Sequence, residues 1–232
     1  MSRAPEASDR RVIAAGTAAH ALALIAVLIG GAASCSEDPA RFDADEDSLR
    51  TIPAVEDLDF ASIEPASAWD YWELRHALQG SSAPDDVLFT GGSIERDDLS
   101  ATAVAALDAA GSVHGFATGC LPSHCYDYIV AVDGDAAFVF ATTDELRSFL
   151  GDLESFAEAA LMVHGLGFTW TTEPGTGYRE RSGGWDFVVL ELVETCAPVQ
   201  TDRVVLRVER VEPAEPVTEI EREVWRTGNV CI

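Results

Sequence analysis

Hydrophobic and polar positions change their period several times along this chain, and each change predicts a different kind of element. Residues 12–34 are almost continuously apolar, interrupted chiefly by Gly16, Thr17 and His20, and end in small residues. Residues 35–65 carry many acids together with Pro39, Pro53 and Pro65, without a sustained apolar repeat, which reads as an acidic tether. A capping-box pattern, Ser67-Ala-Trp-Asp70, then opens a stretch in which Trp69, Trp72 and His76 recur at i, i+3 and i+7, with Tyr71, Leu74 and Leu78 beside them. That spacing predicts a short helix stopped by Gly80, with His76 at its boundary. The aromatic stripe reads as core packing, with stacking on a sugar or peptide as the alternative. A loop-rich passage with a short strand over 87–90 follows, then a small alanine-rich helix over 99–111.

From residue 112 the period becomes two. Strands are predicted over 112–118, 126–132 and 136–141, the last two joined through Asp133-Gly134, a favoured hairpin pair. Thr142-Thr-Asp-Glu145 is a second capping box, opening a helix with Leu146, Phe149 and Leu150 that breaks at Gly151. Asp152 can cap the next helix, where Leu153, Phe156, Ala157, Ala160, Leu161 and His164 form an apolar stripe ended by Gly165 and Gly167. Further strands over 168–172, 178–181, 185–195, 203–211 and 217–226, with short connections, predict a meander. The architecture is therefore α+β, a curved antiparallel sheet with helices packed on one face, in a single domain over 66–232. Its element order is similar to that of cystatin-like and nuclear-transport-factor-like folds.

Charge narrows the chemistry. The chain has 40 acidic and 15 basic residues, a net charge of −25, and every basic residue is arginine. Without lysine there is no Schiff base, no Walker-type phosphate loop and no Ser-Lys dyad. Such an acidic surface also argues against nucleic acid as a partner. Asp43, Asp45 and Asp47 alternate like the first ligands of a calcium loop, but Ser48 and Ala54 occupy the places of its turn glycine and bidentate glutamate. No metal and no cofactor are predicted.

At the front of the chain, Arg10 and Arg11 precede the apolar run, and Gly30 to Ser34 lead to Cys35. This order of basic, apolar and small residues resembles a bacterial lipoprotein signal, with Ala32-Ala33-Ser34-Cys35 in the place of the lipobox. Ala32 stands where that family usually has Leu or Val. The resemblance implies removal of residues 1–34, a lipid on the Cys35 sulfur, and an exported domain tethered to the cell membrane or outer membrane. The domain would then face the periplasm or the extracellular space. An ordinary signal peptide or a retained apolar anchor is the alternative. With Cys35 lipidated, Cys120, Cys125, Cys196 and Cys231 form an even set, as disulfides in an exported protein require. Cys120–Cys125 would close the base of a hairpin, and the meander would bring Cys196 and Cys231 to one end of the sheet. Cys120, His124 and Cys125 also make a C-x3-H-C cluster, for which zinc and a redox pair are the minor alternatives.

No Gly-x-Ser-x-Gly elbow is present, and cysteine parity leaves no spare thiol for Cys-His chemistry. Carboxylates remain. Alternation places Glu191 on one strand face with Phe187, Val189 and Val193, where burial would suit an acid or base, although a place near the sheet edge or opposite Arg207 needs no function. Asp127, between two tyrosines, has the same two readings. Two function classes follow. The favoured one is a non-enzymatic envelope lipoprotein whose sheet binds a protein or small molecule on its concave face. Its rival is an envelope hydrolase using Glu191 with His114 or His164. Convergence of His with Asp or Glu in one pocket would favour the enzyme, and an exposed apolar patch would favour the binder.

Overall fold

The computed structural model describes residues 48–80, 85–119, 124–171, 175–195, 198–210 and 216–228. The predicted signal, Cys35 and both cysteine pairings as pairs lie outside them, because Cys120, Cys196 and Cys231 do. Among the described residues no helix is long and apolar enough to cross a membrane.

The fold is α+β with antiparallel sheets, and the strands sort into two of them. The first is ordered β2-β1-β4-β3, built from β1 (Tyr71–Leu78), β2 (Asp86–Gly91), β3 (Phe116–Gly119) and β4 (Cys125–Asp133). A fifth strand, β5 (Ala136–Phe140), also pairs with β4. One edge of β4 runs along β1, and the other is shared end to end by β3 and β5. The second sheet is the predicted meander, β6 (Gly177–Arg181), β7 (Gly184–Glu194), β8 (Val199–Glu209) and β9 (Val217–Gly228). Of the strand expected over 168–172, the described part contributes a single bridge, Thr169 to Leu190.

Among the described residues three α-helices pack around the first sheet: α1 (Ala101–Ala109), α2 (Thr143–Leu150) and α3 (Phe156–Gly165). They divide between its faces. Tyr126, Tyr128, Val130 and Val132 of β4 pack with Ala103 and Leu107 of α1. Ile129 and Ala131, pointing the other way, share a core with Leu146, Phe149 and Leu161 of α2 and α3 and with Phe187, Val189, Val204 and Leu206 of the meander. The second helix layer thus serves both sheets. Both of its helices open on capping boxes, Thr142 with Glu145 as predicted and Ser155 with Glu158 in place of Asp152. Burial of Glu158 is compensated by three backbone N–H donors, from Glu64, Glu154 and Ser155.

Three expectations are corrected. The stretch read as a helix beginning at Ser67 is β1, the strand between β2 and β4. Its helical spacing was an accident of composition: the strand is covered on both faces, so Tyr71 and Ala77 on one face add apolar positions to Trp72 and Leu74 on the other, and together with His76 they mimic a helical stripe. The acidic stretch is also no simple tether. Arg50 pairs with Tyr178 of β6, and Ile52, Leu58, Phe60 and Ile63 are core residues delivered by two short 3-10 turns. Proline-punctuated turns bury apolar groups at irregular spacing, which a periodicity reading passes over. The hairpin turn also sits one residue later than expected, with Gly134 at φ +59° and Asp135 between the paired Asp133 and Ala136.

Candidate functional site

Register brings the site together. His76 near the end of β1 lies directly opposite Asp127 near the start of β4, and both point to the face covered by α3. The last turn of α3 places His164 against the same carboxylate. Asp127, only 4% exposed, accepts from His76 Nδ1 at 2.7 Å through one oxygen and from His164 Nε2 at 2.8 Å through the other. An ionised carboxylate only accepts, so each of these ring nitrogens carries the proton. His76 Nε2 and His164 Nδ1 are then left with no protein partner among the described residues, each an acceptor when its ring is neutral and a donor when the ring is protonated.

These three side chains line a cavity of about 530 Å³, whose polar wall also includes Glu56 and Thr169. The rest of the wall is largely apolar, with Val55, Leu88, Ala117 and Phe168 contributing. Ala117 has φ +53°, the one non-glycine residue with positive φ among those described, and sits in the irregular stretch of β3 between its two pairings with β4. Backbone strain of this kind persists only where the surroundings enforce it. Gly115 permits the neighbouring close approach, because a Cβ there would meet the Asp127 carbonyl oxygen at 2.1 Å. The two hydroxyl or thiol groups in the wall are engaged: Thr169 donates to the Leu190 carbonyl at 3.3 Å, and Cys125 has a partner. Trp170 packs against His164 from outside this wall, with ring centres 6.0 Å apart, and donates its indole N–H to the Pro53 carbonyl.

The residues favoured by sequence fall elsewhere. Glu191 does share the alternation of Phe187 and Val189, but β7 has left the core by that point. Its side chain is 38% exposed and held by Arg222 at 2.5 Å, and its register partner is Asp202. The carboxylate opposite Arg207 is Asp186, buried beneath Arg179, Arg181 and Arg207. His114 and His124 are exposed, outside the cavity wall. Of the histidines singled out from the sequence only His164 belongs to the site, where it meets Asp127. His76 was missed because a helical reading put it on a boundary; alternation of Trp72, Leu74 and His76 against Glu73 and Arg75 was the signal available. Among the described residues no set of three or more His, Cys, Asp or Glu side chains is arranged to hold a metal ion.

The concave face expected to receive a ligand is occupied, since the inner residues of the meander pack on the shared core with α2 and α3. Comparison with family models, with curated proteins and with solved structures finds no match for this chain.

Proposed function

We propose that this chain is an exported, lipid-anchored envelope protein whose domain binds a small, mostly apolar molecule in the cavity beneath α3. The observation that carries the reading is the pair of imidazoles fixed on one buried carboxylate at the wall of a largely apolar space. A packing role would be met by the two hydrogen bonds to Asp127. It leaves unexplained why both rings also line the space with a second nitrogen unpaired. Apolar walls supply area-proportional affinity, and a few fixed polar groups supply orientation. Because both rings offer lone pairs in their neutral forms, the ligand that fits is one with a hydroxyl or N–H donor at one end. Export and anchoring are supported by the arginine, apolar and small-residue order before Cys35.

Titration of the full chain with 1-naphthol, an apolar probe with one hydroxyl, tests the site. Saturable quenching is expected below about 1 mM, and Leu88→Trp, which fills the cavity, is expected to abolish it while the circular dichroism spectrum is unchanged. Equal binding by the filled variant would overturn the reading. For the anchor, intact mass of the membrane-extracted protein is expected to correspond to a chain starting at acylated Cys35. A mass beginning at Met1 would remove that part of the proposal.

A further inference from the structure

Resting on the binding reading, we infer that the His76–Asp127–His164 cluster is an acid–base site that moves a proton at carbon, on small apolar substrates whose C–H bond is acidified by a neighbouring carbonyl or C=N group. Three observations carry it. First, one carboxylate serves two rings. When a single ring is protonated the cluster is neutral: one imidazolium offers an N–H, one imidazole offers a lone pair, and Asp127 balances the charge. An acid and a base are thereby placed side by side. Second, both rings are held by short hydrogen bonds from separate elements, β1 and α3, to a carboxylate on β4. Their orientation is set before a substrate arrives. Third, the hydroxyl and thiol groups of the wall, Thr169 and Cys125, are engaged, so hydrolysis through a Ser-, Thr- or Cys-type nucleophile lacks its attacking group there.

The step balances without an oxidant or cofactor. The neutral ring takes the proton from carbon, the C–H electron pair moves into the adjacent π-bond, and the carbonyl oxygen, as an enolate, receives the proton of the imidazolium. The rings exchange roles and the cluster remains neutral. In a conjugated substrate, return of a proton from the new imidazolium to the far carbon of the dienol, with the enol O–H proton passing back to the other ring, completes an isomerisation and restores the starting charge state. His76 and His164 are catalytic residues in this scheme, and Asp127 is a positioning residue that selects the tautomer and orientation of both.

The test uses 5-nitro-1,2-benzisoxazole, a flat apolar probe. Loss of its ring C–H proton to a base forms C≡N, breaks the N–O bond and releases a coloured phenolate. The full chain is expected to open it with saturation kinetics, about 100-fold faster than imidazole at equal concentration, and 1-naphthol is expected to compete. His76→Gln and His164→Gln are each expected to lower the rate about 10-fold or more, and His114→Gln to leave it unchanged. Asp127→Asn is expected to lower kcat with KM preserved, a split that general loosening of the cavity would not produce. If 1-naphthol binds but ring opening is no faster than with imidazole, is not inhibited by 1-naphthol, or survives both histidine variants, proton transfer is overturned and binding stands. Failure of both probes to bind overturns the two readings together.

Discussion

The two faces of the β1–β4 pair carry two buried ionic clusters, and they are built to opposite ends. On the α1 face, Glu73 is 1% exposed and surrounded by donors: Tyr71 Oη at 3.0 Å, Arg75 Nε at 2.7 Å and Arg96 Nη1 at 2.6 Å. Arg75 continues to the Ala110 and Leu107 carbonyls at the end of α1, where a cation offsets the helix dipole. Arg96 reaches on to Asp108, and Tyr128 donates to Asp85. On the α3 face, Asp127 takes a hydrogen bond from each of two histidines and the network stops, leaving a nitrogen on each ring with no protein partner. A closed network orients one helix on one sheet. An open one, at a cavity, keeps hydrogen-bonding capacity in reserve. The comparison teaches that burial of charge alone does not mark a site; the unused valence does.

Opening the closed side is expected to cost the most. Glu73→Gln leaves Arg75 and Arg96 facing each other without their anion and is expected to cost about 3 to 5 kcal/mol in urea denaturation. A loss near that of an exposed pair would show that the network is not a single unit. Alkaline pH attacks the same face. Burial, then Glu73, pushes the Tyr71 hydroxyl up to about 12, and burial together with the hydrogen bond to Asp85 does the same for Tyr128. Both shifts are upward from 10.0, so their contribution is complete below pH 10 and is lost as pH rises through about 12. Melting temperature followed over that window is expected to fall more steeply for the wild type than for Tyr71→Phe.

On the open side, Asp127→Asn keeps the shape and allows one ring to flip its tautomer, so a smaller cost of about 1 to 2 kcal/mol is expected. A cost equal to that of Glu73→Gln would make the two clusters structurally equivalent and weaken the case for a site. The smallest effect is a gain. Ala117→Gly relieves the positive φ beside the cavity and is expected to stabilise by up to about 1 kcal/mol, read in the same denaturation series. If that gain comes with weaker 1-naphthol binding, the strained backbone shapes the pocket; unchanged binding would confine its role to the turn.

Much was legible from residue order alone. Capping boxes are local chemistry, so Thr142 with Glu145 marked the start of α2 without any tertiary information. The start of α3 was misplaced only because Asp152 and Ser155 both qualify as caps. Strands with one dry face announced themselves by alternation, and the order of the meander followed from its short connections. The antiparallel α+β class was determined at that level, as were the absence of lysine and the acidic net charge of −25.

What residue order could not decide was anything that depends on being covered twice. In β1 the buried Tyr71 and Ala77 of the second face blurred the alternation of Trp72, Leu74 and His76 against Glu73 and Arg75, so a pattern of period two passed for one of period 3.6. In the lead-in, Ile52, Leu58, Phe60 and Ile63 reach the core through irregular turns whose apolar spacing has no period. The triad combines both difficulties. His76, Asp127 and His164 come from three elements, and their meeting depends on the β1–β4 register and on where the last turn of α3 lies. A carboxylate selects its partners through distances of 2.7 and 2.8 Å, and only packing in three dimensions sets distances of that kind.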